Sequence, residues 1–196
     1  MKADDDIFMR VPLYLKYLEV LSRKKLNMGR ALGELDEYIG KLTWYVVGYA
    51  NTLSRDIVKE IVGFSEISKL LVRKISFRNF DKYIEYAALN GDIMVGEVLR
   101  HKMKLEGLLT VDMQECHYVM HVKRPLHKFV RENPNLIVLH HIAEGEYIWL
   151  MKIFENTTVE QISGPTQIRI TRFWQEFSCR PLMAAVGQGA RKAVQP

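Results

Sequence analysis

Long apolar runs are missing from this 196-residue chain. The longest, around Trp44 to Ala50, falls well short of the roughly 20 residues a membrane helix needs, so no spanning segment is expected. Cysteine is scarce as well. Cys116 and Cys179 stand far apart and neither belongs to a CxxC pair, which argues against a disulfide framework. A reducing, cytoplasmic setting is the resulting expectation. The chain begins Met1-Lys2-Ala3-Asp4-Asp5-Asp6, with no apolar core after a basic start, and this does not read as a secretory signal. Asn156-Thr157-Thr158 matches a glycosylation sequon and is read as a loop.

Catalytic signatures are missing too. There is no HExxH, no phosphate-binding P-loop and no nucleophile elbow. Gly187-Gln188-Gly189 lies in the tail without a preceding strand, so it is not a dinucleotide loop. Glu144 and Glu146 share a turn, and no pair of carboxylates has a spacing that demands acid–base chemistry. The expectation is a protein that is not an enzyme and takes no cofactor.

What is present is a globular composition, 48% hydrophobic and 26% charged, which excludes disorder over most of the chain. The net charge of +5 points toward a polyanionic partner. The first half reads as helical. Asp4 to Asp6 supply negative charge ahead of a helix and Pro12 suits a first helical turn. Met28, Leu32, Leu35, Ile39, Leu42, Val46 and Tyr49 then alternate steps of four and three, a seam of period 3.5. A helix over 28–50 follows from that spacing, either a core helix or, in the reading adopted, a dimerisation helix. Gly29, Gly33, Gly40 and Gly48 fall on it, each costing a helix about 0.5–1 kcal/mol relative to alanine.

After Gly107 short β-rich segments follow one another: "LLTV", "CHYVMHV", "NLIVLHHI", "YIWLMKIF" and "TQIRIT". Ala143 to Glu146 reads as a hairpin turn between two of them. The fold class expected is α+β: a helical region over 1–106 packed on an antiparallel β-meander over 107–181, with a loosely ordered tail over 182–196.

Residues 115–129, "ECHYVMHVKRPLHKF", gather Cys116, His117, His121 and His127, all competent zinc ligands. Apolar and polar positions alternate there with period two, which predicts a strand. His117 and His121 would then sit about 13 Å apart, too far to share an ion. No metal site is expected, and the histidines are read as a polar strand face near His140 and His141. Five of the six histidines lie in this half, so mildly acidic pH is expected to affect it.

Two stretches are candidates for DNA binding. Gly63-Phe64-Ser65 reads as the turn of a helix-turn-helix, with Val58, Val62 and Phe64 in its apolar frame. The segment beyond it carries Lys69, Arg73, Lys74, Arg78 and Lys82 against Asp81 alone, a net +4. Residues 91–122 resemble the second half of a winged helix, in which Arg100, Lys102 and Lys104 face phosphates. The wing tip there would be Asp112-Met113-Gln114-Glu115. The function expected is a small cytoplasmic DNA-binding transcriptional regulator acting as a homodimer. The alternative is a non-catalytic adaptor or structural subunit of a larger assembly.

Overall fold

The structure is a computed structural model that describes residues 1–36, 40–88, 90–122, 125–155, 168–170 and 175–177. Its N-terminal elements are β1 (Lys2–Ala3), β2 (Phe8–Met9), α1 (Val11–Glu19), β3 (Leu26–Gly29), β4 (Ala31–Asp36), β5 (Lys41–Val46) and β6 (Ala50–Leu53). A run of helices follows: α2 (Arg55–Gly63), α3 (Ser65–Leu71), α4 (Phe80–Glu85) and α5 (Gly91–Glu97), the last continued by a π-helical turn over Val98–Lys102. Then come β7 (Leu109–Asp112), α6 (Gln114–His117), β8 (Tyr118–Val119), α7 (Leu126–Glu132), β9 (Val138–Leu139), α8 (Glu144–Glu155), β10 (Ile168–Ile170) and β11 (Gln175–Phe177).

Helices and strands are both present, but not as a helical half over a meander. They alternate from the first residues onward, and the main sheet runs β1-β6-β3-β7-β11-β10. In it β7 is parallel to both β3 and β11. A second sheet, β2-β9-β8, pairs β9 antiparallel to β2 and parallel to β8. Parallel neighbours need crossover connections, which is why helices separate the strands. The expected tail, 182–196, and the sequon lie outside the described residues.

The helix expected over 28–50 is replaced by β3, the β4–β5 hairpin and β6. Ala31 faces Val46, Leu32 faces Tyr45 and Leu35 faces Leu42. The 3.5-residue spacing came from two strands folding back on each other. Gly40 takes a left-handed φ of +60° in the turn, and a Cβ on Gly33 would meet the Trp44 ring. Among the seven seam residues, Met28, Val46 and Tyr49 are buried within this chain, Leu32 is half-buried, and Leu35 and Leu42 are exposed. Ile39 lies outside the described residues. A dimer built on a helical seam therefore has no carrier.

The winged-helix-like element is also corrected. Its helix exists, capped by Asn90, whose side chain accepts from the amides of Asp92 and Ile93. Its hairpin does not, because β7 joins the main sheet and β8 joins the second one. The expected wing tip is not a projecting turn, and of its four residues only Glu115 is exposed. Met113 is fully buried, and buried Asp112 accepts from Arg30 Nη1 at 2.9 Å and from the amides of Ala31 at 2.8 Å and Gln114 at 3.2 Å. Asp112 thereby ties β7 to the β3–β4 corner.

Two more segments differ from the sequence reading. Of the strand expected over 116–122 only Tyr118–Val119 forms, because Gln114–His117 coils into a helical turn. "YIWLMKIF" is not a strand but the body of α8. Glu146 reaches back to accept the amide of Ala143 at 3.0 Å, the capping-box geometry that starts a helix where a hairpin turn was expected. Cys116 is disulfide-bonded, which overturns the expectation of unpaired cysteines; the chain's other cysteine, Cys179, lies outside the described residues. Among the described residues no helix is long and apolar enough to cross a membrane.

Three apolar clusters hold these elements. Leu13, Tyr14 and Tyr17 of α1 pack with Met28, Tyr49, Val111, Tyr118 and Ile137. Phe8, Val119, Leu136 and Leu139 pack under Val130 of α7 and Leu150 of α8. Ile67, Leu70, Tyr83, Tyr86 and Val98 form the core of a helical lobe built from α3, α4 and α5.

Candidate functional site

The helical lobe carries the densest basic surface that the sequence singled out. Phe64 separates α2 from α3, where the turn was expected. The pair does not pack as a DNA-reading helix-turn-helix. Val58 and Val62, which that frame would bury, are exposed, while Ile57 is buried instead. What projects from the lobe is the loop between α3 and α4, "VRKISFRN", over residues 72–79.

This loop is braced from inside. The side-chain oxygen of Asn79 accepts from the amide of Ser76 at 2.7 Å and from its hydroxyl at 3.0 Å, while Asn79 Nδ2 donates to the Lys74 carbonyl at 3.0 Å. The hydroxyl of buried Tyr83 reaches the Leu70 carbonyl at 2.9 Å and also the Arg73 carbonyl. Anchored this way, the loop holds Val72, Ile75 and Phe77 in solvent, and Phe77 stands fully exposed. Arg73, Lys74 and Arg78 lie on the same loop, all exposed. Below them lies a groove of about 440 Å³ lined by Lys69, Arg73, Asn79, Lys82, Glu66 and Glu85. An aromatic ring among cations can stack on a flat partner while the cations meet its negative charge.

The other expected phosphate contacts are placed differently. Arg100 turns toward the sheet, donates to the Thr110 hydroxyl at 2.8 Å, and is pulled below its usual pKa by burial. Lys102 pairs with Glu85 at 2.6 Å and lies over the Tyr86 ring at 4.7 Å. Lys104 is exposed in the turn before β7, in a left-handed conformation. Lys69 and Arg73 thus line one groove with Lys82; Lys74 and Arg78 lie on the adjoining exposed loop, and Arg100 is instead engaged with Thr110. Phe77 completes the cluster. Its signal in sequence was an aromatic flanked by basic residues with no acid between 67 and 80.

A second cluster forms where β9 ends. The histidine-rich segment divides between two environments. His117 is buried and hydrogen-bonds the Asn135 carbonyl through Nδ1 at 3.0 Å beside the Tyr17 ring. His121 instead stacks on His141, with centroids 5.5 Å apart, and His127 is exposed on α7. In the β2–β9 register Phe8 faces Leu139, so two residues further out Asp6 falls opposite His141. The amide of Ile142 donates to the Asp6 carbonyl at 3.0 Å and fixes that juxtaposition. His140 Nε2 lies 3.1 Å from Asp6 Oδ1, and His141 Nδ1 lies 3.0 Å from Asp6 Oδ2. Asp4 Oδ2 is 3.7 Å from His140 Nε2. The two imidazoles stack at 3.8 Å, and His140 also stacks on Tyr49 at 4.8 Å. His141 holds a φ of +59°, a conformation that costs of order 1–3 kcal/mol and gathers at functional sites. Asp6 was missed in sequence because it meets the histidines only through strand pairing.

Burial lowers the pKa of His140 from its usual 6.5. Asp6 and Asp4 pull it back up, while His141 and His121 add to the lowering. A histidine held neutral in the fold takes up a proton more readily when unfolded. Its contribution to stability is therefore present above about pH 6.5 and is lost as pH falls below that value through the lowered pKa of the folded state. In chelator-containing buffer, denaturant unfolding is expected to give a lower free energy at about pH 5.5 than at neutral pH. Equal values at the two pH values contradict this.

Comparison with protein-family models, with curated proteins and with solved structures gave no match.

Proposed function

We propose that the protein binds nucleic acid through the 72–79 loop and the flanking ends of α3 and α4. The observation that carries this is fully exposed Phe77 held on a braced loop among Arg73, Lys74 and Arg78, with Lys69 and Lys82 beside the groove below. The cations would supply sequence-independent affinity for phosphates. The ring would stack on an unpaired base, which makes single-stranded DNA or an opened duplex the fitting partner. A regulatory role on DNA is compatible with that chemistry. Homodimerisation would need a surface other than a helical seam over 28–50, and a cytoplasmic setting loses the support of unpaired cysteines.

An adaptor or structural subunit is the second reading. Favouring it, α8 exposes Tyr147, Ile148, Met151 and Ile153 along its length. Apolar stripes of this kind mark protein contacts when they are contiguous.

Fluorescence anisotropy of labelled oligonucleotides separates the two. The protein is expected to bind single-stranded DNA at low salt, and Phe77→Ala is expected to weaken binding by roughly 10- to 100-fold, the worth of one stacked base. The slope of affinity against salt should barely change in that variant, because no charge is lost. No binding at low salt, or tighter binding to anionic vesicles than to DNA, removes the nucleic-acid reading.

A further inference from the structure

We propose that Asp6, His140 and His141 form a binding site for one divalent first-row transition metal ion, zinc foremost. The inference is independent of the nucleic-acid surface and stands on donor geometry. Zinc binds imidazole nitrogen at 2.0–2.1 Å and carboxylate oxygen at about 2.0–2.2 Å, so tetrahedral donors sit roughly 3.4 Å apart. The carboxylate of Asp6 lies 3.1 Å from one ring nitrogen and 3.0 Å from the other, and all three donors lie within 4.8 Å of one another. Small rotations of the side chains admit an ion between them.

The donor set selects the ion. Two imidazoles and a carboxylate suit zinc and its neighbours and disfavour calcium and magnesium, which take oxygen ligands. The rings of His140 and His141 stack with centroids 3.8 Å apart, and one nitrogen of each faces the Asp6 carboxylate. Asp4, 3.7 Å from His140 Nε2, stands within reach as a fourth ligand. If it stays back, the fourth position is open to water or to a substrate oxygen, as in catalytic zinc sites.

The backbone supports the same reading. His141 sits in a left-handed conformation that aims its ring at Asp6, and β9 between β2 and β8 fixes where that turn occurs. Three donors from positions 6, 140 and 141 are thus set by strand register and not by a flexible loop alone.

The test uses full-length protein, stripped with chelator and titrated with zinc chloride by calorimetry and with cobalt chloride by visible absorption. One equivalent is expected, with the cobalt spectrum of a four- or five-coordinate nitrogen–oxygen site. Asp6→Asn and His141→Asn are each expected to weaken binding by more than about 100-fold, beyond the 10- to 100-fold that outer-shell partners supply. Asparagine tolerates the left-handed conformation, so His141→Asn keeps the turn. His121→Ala, which removes only the stacked neighbour, should change affinity little. In the unmodified protein, zinc should shift the ring resonances of His140 and His141. Failure of the wild type to bind one equivalent, variants that bind as tightly as wild type, or unmoved His140 and His141 resonances overturn the proposal.

Discussion

Asp112→Ala is expected to destabilise the protein by about 3–5 kcal/mol, the cost of stripping one partner from a buried ion pair. Asp112 is almost wholly buried, and it is the partner of Arg30, whose side chain is three-quarters buried. Removal leaves that guanidinium facing a low-dielectric corner, and it strands the amides of Ala31 and Gln114 as well. The attraction between the charges is not the source of the loss. Burial raises the Asp112 pKa despite Arg30 and the two amides, so desolvation outweighs their pull. The pair therefore fixes geometry more than it adds net stability. Arg30→Met combined with Asp112→Leu should recover the charge-related part and retain a loss of about 1–3 kcal/mol from the unpaired amides. Denaturant unfolding of the two single variants and the double variant checks this as a thermodynamic cycle. An Asp112→Ala loss below about 1 kcal/mol would show that β7 is held to β3 by the ladder alone.

The second large effect concerns charge on the helical lobe. Arg73→Ala, Lys74→Ala and Arg78→Ala together remove three exposed cations from one loop. Each phosphate contact on a single strand contributes about 0.7 to the slope of log affinity against log salt. The triple variant should therefore show a slope shallower by about 2, with weaker binding at low salt. Folding should be untouched, because the three side chains are exposed and the loop is braced by Asn79 and Tyr83 instead. Oligonucleotide anisotropy at several salt concentrations, beside thermal unfolding, reads both quantities. Equal slopes for variant and wild type would place the phosphates elsewhere, with Lys104 the next cation to examine.

Much of the local structure was legible. The α2–α3 turn at Phe64, the basic run after it and α1 with its proline in the first turn all follow from turn chemistry, charge and periodicity. The 28–50 segment was not, because cross-strand pairs in a hairpin can imitate a heptad seam. Its four glycines carried the contrary signal, since each opposes a helix. Residues 147–154 misled in the other direction. A run apolar at nearly every position suits a covered strand and a helix equally, and only the Glu146 cap distinguishes them. The Asp6 cluster was half visible. His140 and His141 drew notice as neighbours in sequence, but the carboxylate between them arrives through the β2–β9 register, which no local pattern encodes.

In the proposed function the braced loop around Phe77 meets a polyanion with unpaired bases. Its most direct test is the affinity of the wild-type protein for one labelled single-stranded oligonucleotide and for the matching duplex, each measured over a fourfold range of salt. For four phosphate contacts affinity for the single strand is expected to fall by roughly 50-fold across that range. It should also exceed affinity for the duplex at every salt concentration. A salt-independent affinity, or a preference for the duplex, would contradict the account.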